Sequence, residues 1–427
     1  MENMFFRKFL YMISVLALLL TVVGSAILPN LANPWFPADA QYIIRSMING
    51  VNSFPILAVP MFILSGNIMA RGKISEKLFD FFAYFVSDKT AGLPIAIICT
   101  CLFYGAISGS GPATTAAVGA MTIPILERAG YKKEFSTALV AVAGGIGVII
   151  PPSIPFIFYG QASGSSVSDL FKAGIIPGLL IGFALMVYSW IYCKKNGEDK
   201  EKLNEYRDSL KDMGFFSLVK DSFLALVCPV IVLGSIYSGI ASPTEAAVIS
   251  VFYALILSVF IYKSIEIKEI FDVCVETIRT FAPILFILAT SVAFSRVLTL
   301  MQVPQIVSEW ILTNFSNKII ILLVINLVLL AVGMVMDTTP AILILTPILL
   351  PIVTAIGVNP IQFGVIMIVN LAIGFITPPI GINLFVASSL TDVPVMDIAK
   401  KSIPMIICFL IALLLFTFIP SISLMLL

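Results

Sequence analysis

The chain has 427 residues, of which 59% are hydrophobic and only 11% are charged, and its mean hydropathy is +1.07. A soluble protein of this length could not bury that much apolar surface, so the composition predicts an all-α, polytopic membrane protein. The net charge of +1 gives no reason to expect a nucleic-acid partner, and the six scattered cysteines indicate neither a disulfide framework nor a zinc site. Histidine is absent, which removes the commonest general base and metal ligand.

The N-terminal segment predicts a first membrane helix that follows a basic flank. Arg7 and Lys8 precede an apolar run that ends at Val23, and Gly-Ser-Ala follows at 24–26. A signal peptide with a small-residue cleavage site has the same pattern. Because the run is long enough to span and everything after it is membrane protein, we expect an uncleaved helix.

A second span follows a loop rich in proline and asparagine, residues 30–39. This span ends at the polar stop Arg71-Gly-Lys73. The next segment, Ile74 to Val86, alternates charged residues with Phe and Tyr. That pattern predicts an amphipathic helix lying in the membrane interface.

Residues 90–126 predict a helical hairpin that enters the membrane without crossing it. Gly109, Gly111 and Pro112 interrupt the backbone pairing in the middle of an apolar stretch. In hydrocarbon, unpaired backbone groups are tolerated only where protein or a water-filled cavity surrounds them, so such a break is expected to line a site. A kinked helix whose hydroxyls bond to their own carbonyls is the alternative. The hydroxyls at the break belong to Ser108, Ser110, Thr114 and Thr115.

The remainder of the first half predicts a broken helix, a span and a connector. Residues 134–168 form a long apolar segment interrupted at Pro151-Pro152, and a further span runs over 170–192. Residues 194–221 are the one sizeable hydrophilic stretch, too short for a domain, and we interpret them as a cytoplasmic loop. An extra span at 223–240 precedes the second half.

The second half repeats the elements of the first. They are, in order, two spans, an amphipathic piece, a hairpin, a broken helix and a last span: 246–262, 281–300, 304–315, 319–354, 361–390 and 403 onward. We therefore divide the chain into a first repeat (1–193), the cytoplasmic loop with the extra span (194–241) and a second repeat (242–427).

The breaks in the two halves are related by a constant offset. Moving 227 residues along the chain carries Gly147 onto Gly374 and Pro151-Pro152 onto Pro378-Pro379. A constant offset across breaks of the same kind indicates an internal duplication. Interrupted hydrophobic segments that are paired in this way are the best sequence indication of a transporter binding site.

The Lys and Arg residues orient the chain in the membrane. With nine full crossings, two re-entrant hairpins and a cytoplasmic N terminus, 21 of the 25 basic residues fall in segments placed inside. This excess satisfies the positive-inside rule and puts the C terminus in the periplasm. The first hairpin then enters from the cytoplasm and the second from outside, so the two repeats are inverted. The four basic residues placed outside are Arg45, Lys172, Arg296 and Lys318.

Each hairpin tip, paired with the broken helix of its own half, predicts a site for a small hard cation. Proline cannot donate a hydrogen bond and displaces the preceding turn, so nearby carbonyls lose their helical partners. Carbonyls and hydroxyls suit sodium better than calcium, which prefers several carboxylates. Packed kinks are the alternative. Predicted sodium site 1 comprises Ser108, Ser110, Gly145, Val148 and Pro151, with Gly145 expected to permit the close approach of hairpin and helix. Predicted sodium site 2 comprises Gly333, Asp337, Thr338, Thr339, Gly374 and Thr377.

Three charged side chains have two interpretations each. Asp337 lies near membrane depth, where carboxylates are usually functional, but Asp before Thr-Thr-Pro is also a good N-cap. Glu245 follows Ser242-Pro-Thr244 at a helix start and is interpreted as a cap. Arg296 could meet an anionic solute, and we favour snorkelling to the interface.

The hairpins also favour an anion, because the N-termini of their second helices carry positive potential. An anionic substrate beside the cation is therefore expected. The candidate substrate-binding residues are Ser110, Ser153, Thr339, Pro379 and Asn383.

Five motifs together resemble the large membrane subunit of tripartite ATP-independent periplasmic (TRAP) transporters, within the ion transporter superfamily. The resemblance runs nearly from end to end. At the first tip the family often continues with another hydroxyl, whereas Gly111-Pro112 follows here, so we expect a backbone role alone at position 111. The motifs are Ile107-Ser-Gly-Ser110, Gly144-Gly-Ile-Gly-Val-Ile-Ile-Pro-Pro-Ser153, Phe171-Lys-Ala-Gly-Ile-Ile-Pro-Gly178, Ser242-Pro-Thr-Glu-Ala246 and Asn370-Leu-Ala-Ile-Gly-Phe-Ile-Thr-Pro-Pro379.

The resemblance implies a sodium-driven importer of an organic acid, such as a C4-dicarboxylate, keto acid or sialic acid, in the bacterial inner membrane. It implies two partners, a periplasmic substrate-binding protein and a small four-helix membrane subunit. The subunit is expected on a separate chain, because this chain begins with its own basic flank and first helix. An elevator motion is also implied, in which hairpins and broken helices slide as one body.

Other classes of function fit the sequence less well. A stand-alone sodium/carboxylate symporter of the same superfamily is the alternative that the sequence leaves open. An intramembrane enzyme is not indicated, because the chain has no histidine, Gly-x-Ser-x-Gly elbow or paired catalytic carboxylates. A channel is disfavoured because duplicated, broken and inverted halves suit alternating access.

Overall fold

The chain is helical throughout the residues that the structure, a computed structural model, describes: 37–212, 215–315 and 317–427. Every regular element in these ranges is a helix, which confirms the prediction of an all-α protein. The predicted first helix and its basic flank lie outside the described residues.

The described residues contain nineteen α-helices, which are numbered in chain order. The first nine are α1 (Ala40–Val51), α2 (Ala58–Arg71), α3 (Ile74–Val86), α4 (Gly92–Ser108), α5 (Gly111–Arg128), α6 (Lys133–Gly144), α7 (Ile154–Ser163), α8 (Val167–Asn196) and α9 (Lys200–Asp212). The others are α10 (Phe215–Tyr237), α11 (Pro243–Leu255), α12 (Glu269–Leu300), α13 (Val303–Asn314), α14 (Lys318–Gly333), α15 (Thr338–Ala355), α16 (Pro360–Gly374), α17 (Ile382–Thr391), α18 (Val395–Phe418) and α19 (Pro420–Leu424).

We divide most of the helices into two groups, a frame bundle and a hairpin bundle, which also pack against each other. In the frame bundle, α1–α3 and α10–α13, α2 packs against α11 and α12, and α3 packs against α10. In the hairpin bundle, α4–α8 and α14–α18, α6 packs against α5, α17 and α18, and α14 packs against α16. The hairpin bundle contains both predicted hairpins and both predicted broken helices. Each hairpin also lies against an amphipathic helix of the frame, α3 beside α4 and α13 beside α15.

The helices of the hairpin bundle end where the breaks were predicted. α4 ends and α5 begins around Gly109-Ser110, and four residues separate α14 from α15. Between α6 and α7 lie a 3₁₀ turn, Gly145–Val148, and the Pro151-Pro152 pair. The second pair, Pro378-Pro379, lies between α16 and α17. The helices that follow the four breaks are α5, α7, α15 and α17. Three of them, α5, α7 and α15, begin after a serine or aspartate cap, and α5 and α7 also have a proline in the first turn. These residues are favoured at helix N-termini.

Several boundaries differ from the predictions, and two of the differences have a local explanation. α12 begins at Glu269, twelve residues before the predicted start at 281, and continues through Pro283. Acidic side chains in its first turn, Glu269 and Asp272, favour a helix start there. The predicted loop 194–221 contains α9, which the Asp199 carboxylate caps by accepting the Lys202 N–H at 3.3 Å.

Seven helices in the described residues are long and apolar enough to cross a membrane. Six of them coincide with predicted crossings, and the seventh is α15, an arm of the second predicted hairpin. The predicted broken helices are each divided into shorter pieces. The count of nine crossings, the re-entrant hairpins and the inversion of the two halves stay predictions.

The connector after α8 is tied to the base of the first hairpin. The Glu198 carboxylate accepts the N–H of Ala91, just before α4, at 3.0 and 3.1 Å, and it also accepts the Tyr131 hydroxyl, just after α5. Farther along, the Tyr206 hydroxyl of α9 donates to Asp80 of α3 at 3.3 Å, and burial raises the pKa of Asp80 to about 6. The connector therefore contacts both bundles.

We predict that the base of the first hairpin faces the cytoplasm and the base of the second faces the periplasm. Lys89 and Lys318 are exposed at these bases. In a variant without the native cysteines, Lys89→Cys should react with a membrane-impermeant maleimide only from the cytoplasmic side, and Lys318→Cys only from outside. Labelling of Lys89→Cys from outside the cell would contradict the topology.

Candidate functional site

The tip of the first hairpin is joined to the broken helix of its own half through main-chain atoms. Gly109 follows α4 in the left-handed conformation, with φ of +60°, which glycine adopts without strain. Its carbonyl accepts the N–H of Ile154, the first residue of α7, at 3.3 Å. A Cβ atom at position 109 would also approach the Pro152 carbonyl to 2.7 Å. The tip therefore requires glycine for both conformation and space.

Three oxygen atoms converge at this tip. Ser108 Oγ lies 2.9 Å from Thr114 Oγ1, and both hydroxyls point at the Ser110 carbonyl, which accepts from Thr114 at 2.8 Å and from Ser108 at 3.4 Å. Ser108 and Thr114 are buried. Thr114 was not among the predicted residues of sodium site 1, although the sequence showed its hydroxyl at the break. The cluster offers neutral oxygens without a fixed charge.

The first break has fewer free carbonyls than expected. The Val148 carbonyl accepts the Ser153 hydroxyl at 2.5 Å, and Ser153 Oγ also accepts the Phe156 N–H at 3.4 Å as the cap of α7. A carbonyl has two lone pairs, so Val148 can still accept a second partner. The Ser153 hydroxyl, which is fully buried, donates its hydrogen to the break itself in this structure. The Pro151–Pro152 peptide bond is cis.

The second half has the same kind of junction. The Met334 carbonyl, just after α14, accepts the N–H of Ile380, just after the cis Pro378–Pro379 bond, at 3.2 Å. Asp337 caps α15 by accepting the Thr338 N–H at 2.7 Å. The Thr377 hydroxyl donates to the Ile373 carbonyl at 2.7 Å. Contacts of one kind therefore join hairpin and broken helix in both halves.

Glycine pairs bring the backbones of hairpin and broken helix into direct contact. In the first half a Cβ atom on Gly105 would lie 2.6 Å from Gly147 Cα. In the second half a Cβ atom on Gly374 would overlap the Gly333 carbonyl. Gly105 and Gly333 are 228 residues apart, and Gly147 and Gly374 are 227 apart. The same close approach thus recurs at equivalent positions.

The prediction that Gly145 provides this close approach is wrong. A Cβ atom there would meet its nearest neighbours at 3.8 Å, an ordinary contact. The tight positions are Gly144, where a Cβ atom would overlap the Thr115 hydroxyl, and Gly147. Gly145 faces the second broken helix instead, because Ala372 O and Asn383 Nδ2 are its neighbours.

Asn383 links the two halves at the centre of the hairpin bundle. Its Nδ2 donates to the Ala141 carbonyl of α6 at 3.0 Å. Its Oδ1 is buried, as is Thr115 Oγ1, and neither has a hydrogen-bond partner among the described residues. A Cβ atom on Gly111 would lie 3.4 Å from Gly144 O and 3.5 Å from Asn383 Nδ2. Acceptor oxygens without donors therefore lie between the first tip and both broken helices.

The predicted substrate residues do not share one environment. Ser110 and Thr339 lie at the N-termini of α5 and α15, and Asn383 lies at the N-terminus of α17. Pro379 is exposed. Ser110, Thr339 and Asn383 are the positions from which polar groups at helix N-termini could reach an anion.

Two of the three charged positions cap helices. The Glu245 carboxylate accepts the Ser242 N–H at 2.7 Å, and Ser242 Oγ accepts the Glu245 N–H at 3.3 Å. This capping box confirms that Glu245 is a cap. Asp337 also caps its helix and remains half-buried. The Arg296 side chain is exposed.

The donor set at the two junctions fits a small cation of low charge. The groups present are hydroxyls and carbonyls, with Asp337 as the one carboxylate at the second junction. In the parts of the chain that the structure covers, no group of three or more His, Cys, Asp or Glu side chains could hold a metal ion. Sodium requires no such group, whereas zinc and calcium sites are built from these side chains.

Comparison with known proteins places the chain in a family. Residues 4–422 match the family described as "Tripartite ATP-independent periplasmic transporter, DctM component". The chain belongs to this family. Its resemblance to the TRAP large membrane subunit is thereby confirmed.

Two relatives show how far the similarity extends. The isethionate TRAP transporter permease protein DctMQ of Oleidesulfovibrio alaskensis is 43% identical over 408 residues, which are 95% of this chain but 62% of that protein. The C4-dicarboxylate TRAP transporter large permease protein DctM of Pseudomonas aeruginosa is 37% identical over 388 residues, 91% of this chain and 90% of that one. These proteins are named as permeases, which confirms the prediction that the chain is not an enzyme.

A solved transporter shares the fold. The YdaH transporter of Alcanivorax borkumensis superposes with a TM-score of 0.63 at 13% identity, covering 95% of this chain and 97% of that one. At this identity the likeness shows the fold alone. It supports the classification of the chain as an all-helical membrane protein.

We predict that the glycine pairs are required for activity. Gly147→Ala or Gly374→Ala should destabilise the chain by about 1–3 kcal/mol, because a Cβ atom would force hairpin and broken helix apart, and should abolish most transport. Gly234→Ala is the matched control, because nothing lies within 4 Å of a Cβ atom there. Thermal unfolding in detergent and uptake in proteoliposomes measure both effects. Wild-type stability and uptake in Gly374→Ala would contradict the role of the contact.

Proposed function

We propose that the chain is the large membrane subunit of a sodium-coupled secondary importer of a small organic anion. The observation that carries the proposal is the cluster of Ser108 Oγ, Thr114 Oγ1 and Ser110 O at the first tip, together with the equivalent junction in the second half. Membership of the TRAP family supports the transport activity. The coupling ion is inferred from the chemistry of the donors.

Sodium fits these junctions better than a proton. A proton relay usually requires a chain of carboxylates or histidines, and the chain has no histidine. Neutral oxygens held by a hairpin tip can replace the water around a sodium ion, and the C-terminal end of a half-helix adds negative potential. We propose that Ser108, Ser110 and Thr114 contribute oxygens at the first junction, and Asp337 and Thr377 at the second.

The substrate is proposed to be a small organic acid anion. The two relatives are named for isethionate and for C4-dicarboxylates, and both substrates carry a sulfonate or carboxylate oxyanion. Helix N-termini bind such groups through their free N–H donors. The N-termini of α5 and α15, with the side chains of Ser110 and Thr339, and the Asn383 amide are the proposed contacts.

Two partners are proposed, a periplasmic substrate-binding protein and a small four-helix membrane subunit. The described residues of this chain are almost all in or beside apolar helices, and none of them forms a soluble domain that could capture a solute. Much of the DctMQ relative lies outside its match with this chain. The family is described as the DctM component of a tripartite transporter, and this supports the proposal of two partners.

The proposed transport step is an elevator motion of the hairpin bundle against the frame bundle. Both sodium junctions and the substrate contacts lie in the hairpin bundle, so they would move together. The frame would remain fixed in the bilayer. The packing of both hairpins and both broken helices within one bundle supports this motion.

We predict that reconstituted transport needs all three components. The purified chain in proteoliposomes should take up neither isethionate nor succinate, and addition of the small subunit and the binding protein of the same system should produce uptake that requires a sodium gradient. Transport by the single chain, at a rate that the binding protein does not change, would instead establish a stand-alone symporter.

We predict that Ser108→Ala weakens sodium activation specifically. Loss of one oxygen should raise the half-saturating sodium concentration roughly tenfold, about 1.4 kcal/mol, with little effect on the affinity for the binding protein. Ser402→Ala is the matched control, because that buried hydroxyl donates to the Ile398 carbonyl within α18. Uptake that persists in sodium-free buffer and follows a pH gradient would contradict the sodium assignment and make Asp337 the leading proton carrier.

A further inference from the structure

Two side chains of the hairpin bundle donate hydrogen bonds to the main chain of the frame bundle. The Tyr104 hydroxyl on α4 donates to the Gly66 carbonyl on α2 at 3.2 Å. The Gln161 amide on α7 donates to the Gly50 carbonyl on α1 at 3.0 Å. Both acceptors are glycine carbonyls on frame helices, and both donors lie on elements proposed to move.

The Tyr104 contact lies directly beside the first sodium junction. Tyr104 is one helical turn before Ser108, and its ring is buried. A Cβ atom on Gly66 would lie 3.3 Å from Ser108 Cα. The frame therefore approaches the hairpin closely at the residue that carries the proposed sodium ligand. Any movement of the tip relative to α2 changes both the hydrogen bond and this contact.

Apolar contacts also join the two bundles, and they constrain the relative position of the bundles less strictly than hydrogen bonds do. The rings of Phe82 on α3 and Phe103 on α4 lie 5.1 Å apart and are tilted by 46°. Apolar packing is non-directional and can be exchanged for other apolar packing as helices slide. A hydrogen bond is directional, and a buried hydroxyl or amide that loses its partner is penalised. The two hydrogen bonds are therefore specific to the position observed here.

We propose that Tyr104 and Gln161 are positioning residues that hold the hairpin bundle in this position against the frame and so set the resting equilibrium of the transport cycle. The proposal rests on the elevator motion in the proposed function. When the bundle slides, both donors leave the carbonyls of Gly66 and Gly50. The position of Tyr104 beside Ser108 makes the first contact sensitive to the occupancy of the sodium junction.

The chain offers a matched control for each residue. Tyr159 is buried like Tyr104, and its hydroxyl also donates to a main-chain carbonyl, that of Pro360, at 2.6 Å. Gln362 is buried, and its amide donates to the carbonyls of Phe416 and Thr417, each at 3.1 Å. Both control contacts lie within the hairpin bundle and would move with it.

The test measures the position of the bundles without measuring transport. Spin labels are placed at Lys268 in the frame and Lys400 in the hairpin bundle, both exposed, in the full chain without native cysteines, in nanodiscs with sodium chloride. Double electron–electron resonance gives the distance distribution for the wild type, Tyr104→Phe, Gln161→Leu, Tyr159→Phe and Gln362→Leu.

We expect Tyr104→Phe and Gln161→Leu each to lower the ratio of the wild-type distance to other distances about 2- to 10-fold, the equivalent of one hydrogen bond. Tyr159→Phe and Gln362→Leu should leave the ratio unchanged. Distributions that are the same in all five proteins, or control variants that shift as much as the test variants, would overturn the proposal. Because the readout is a distance, this proposal can be contradicted even if sodium-driven uptake is observed. It can also be supported even if uptake is absent.

Discussion

A helix that is broken inside an apolar environment must find partners for the backbone groups that the break releases, and the hairpin bundle depends on how this is done. In each half, a carbonyl at the hairpin tip accepts an N–H from just beyond the Pro-Pro pair, Gly109 with Ile154 and Met334 with Ile380. Hydroxyl and carboxylate caps satisfy other groups. The same requirement that stabilises the break leaves oxygen atoms at the junction, and these are the proposed ligands for a cation.

Glycine makes these junctions sterically feasible. Backbones can touch only where no Cβ atom intervenes, and the pairs Gly105–Gly147 and Gly333–Gly374 touch in this way. Because the contact joins a hairpin to the broken helix of its own half, the two elements of each junction pack as one unit. The proposed transport cycle requires such a unit to move together with its ion.

Both junctions lie in the hairpin bundle, so the two bundles have different proposed roles. The hairpin bundle contains both proposed sodium junctions and the proposed substrate contacts, and the frame bundle packs beside it. Numerous large apolar side chains are exposed on the frame, as on α12 and α13, where the proposed lipid or subunit environment would cover them. Directional contacts between the bundles then control which relative position is most stable.

Much of this arrangement follows from local sequence. The breaks at Gly109 and at the two Pro-Pro pairs, and the cap at Glu245, were predictable because proline, glycine and capping residues act on their immediate neighbours. The offset of 227 residues also pointed to the equivalence of Gly147 and Gly374. These features need no knowledge of how distant helices pack.

Features that depend on tertiary contacts were missed. Gly145 was expected to permit close approach, but the orientation of a 3₁₀ turn directs Gly144 and Gly147 to the hairpin and Gly145 to the other half. Thr114 was not predicted as a site residue, but it belongs to the first oxygen cluster because the fold brings its hydroxyl to the Ser110 carbonyl. The link from Asn383 to Ala141 spans 242 residues, and no local pattern encodes a contact of that separation.

Equilibrium binding of radioactive sodium to the purified chain measures whether the two hairpin junctions bind this ion. We expect saturable binding of more than one ion per chain, which potassium does not displace, and a lower stoichiometry in a variant with both Ser108→Ala and Thr114→Val. No saturable binding, or full stoichiometry in that variant, would contradict sodium binding at the junctions.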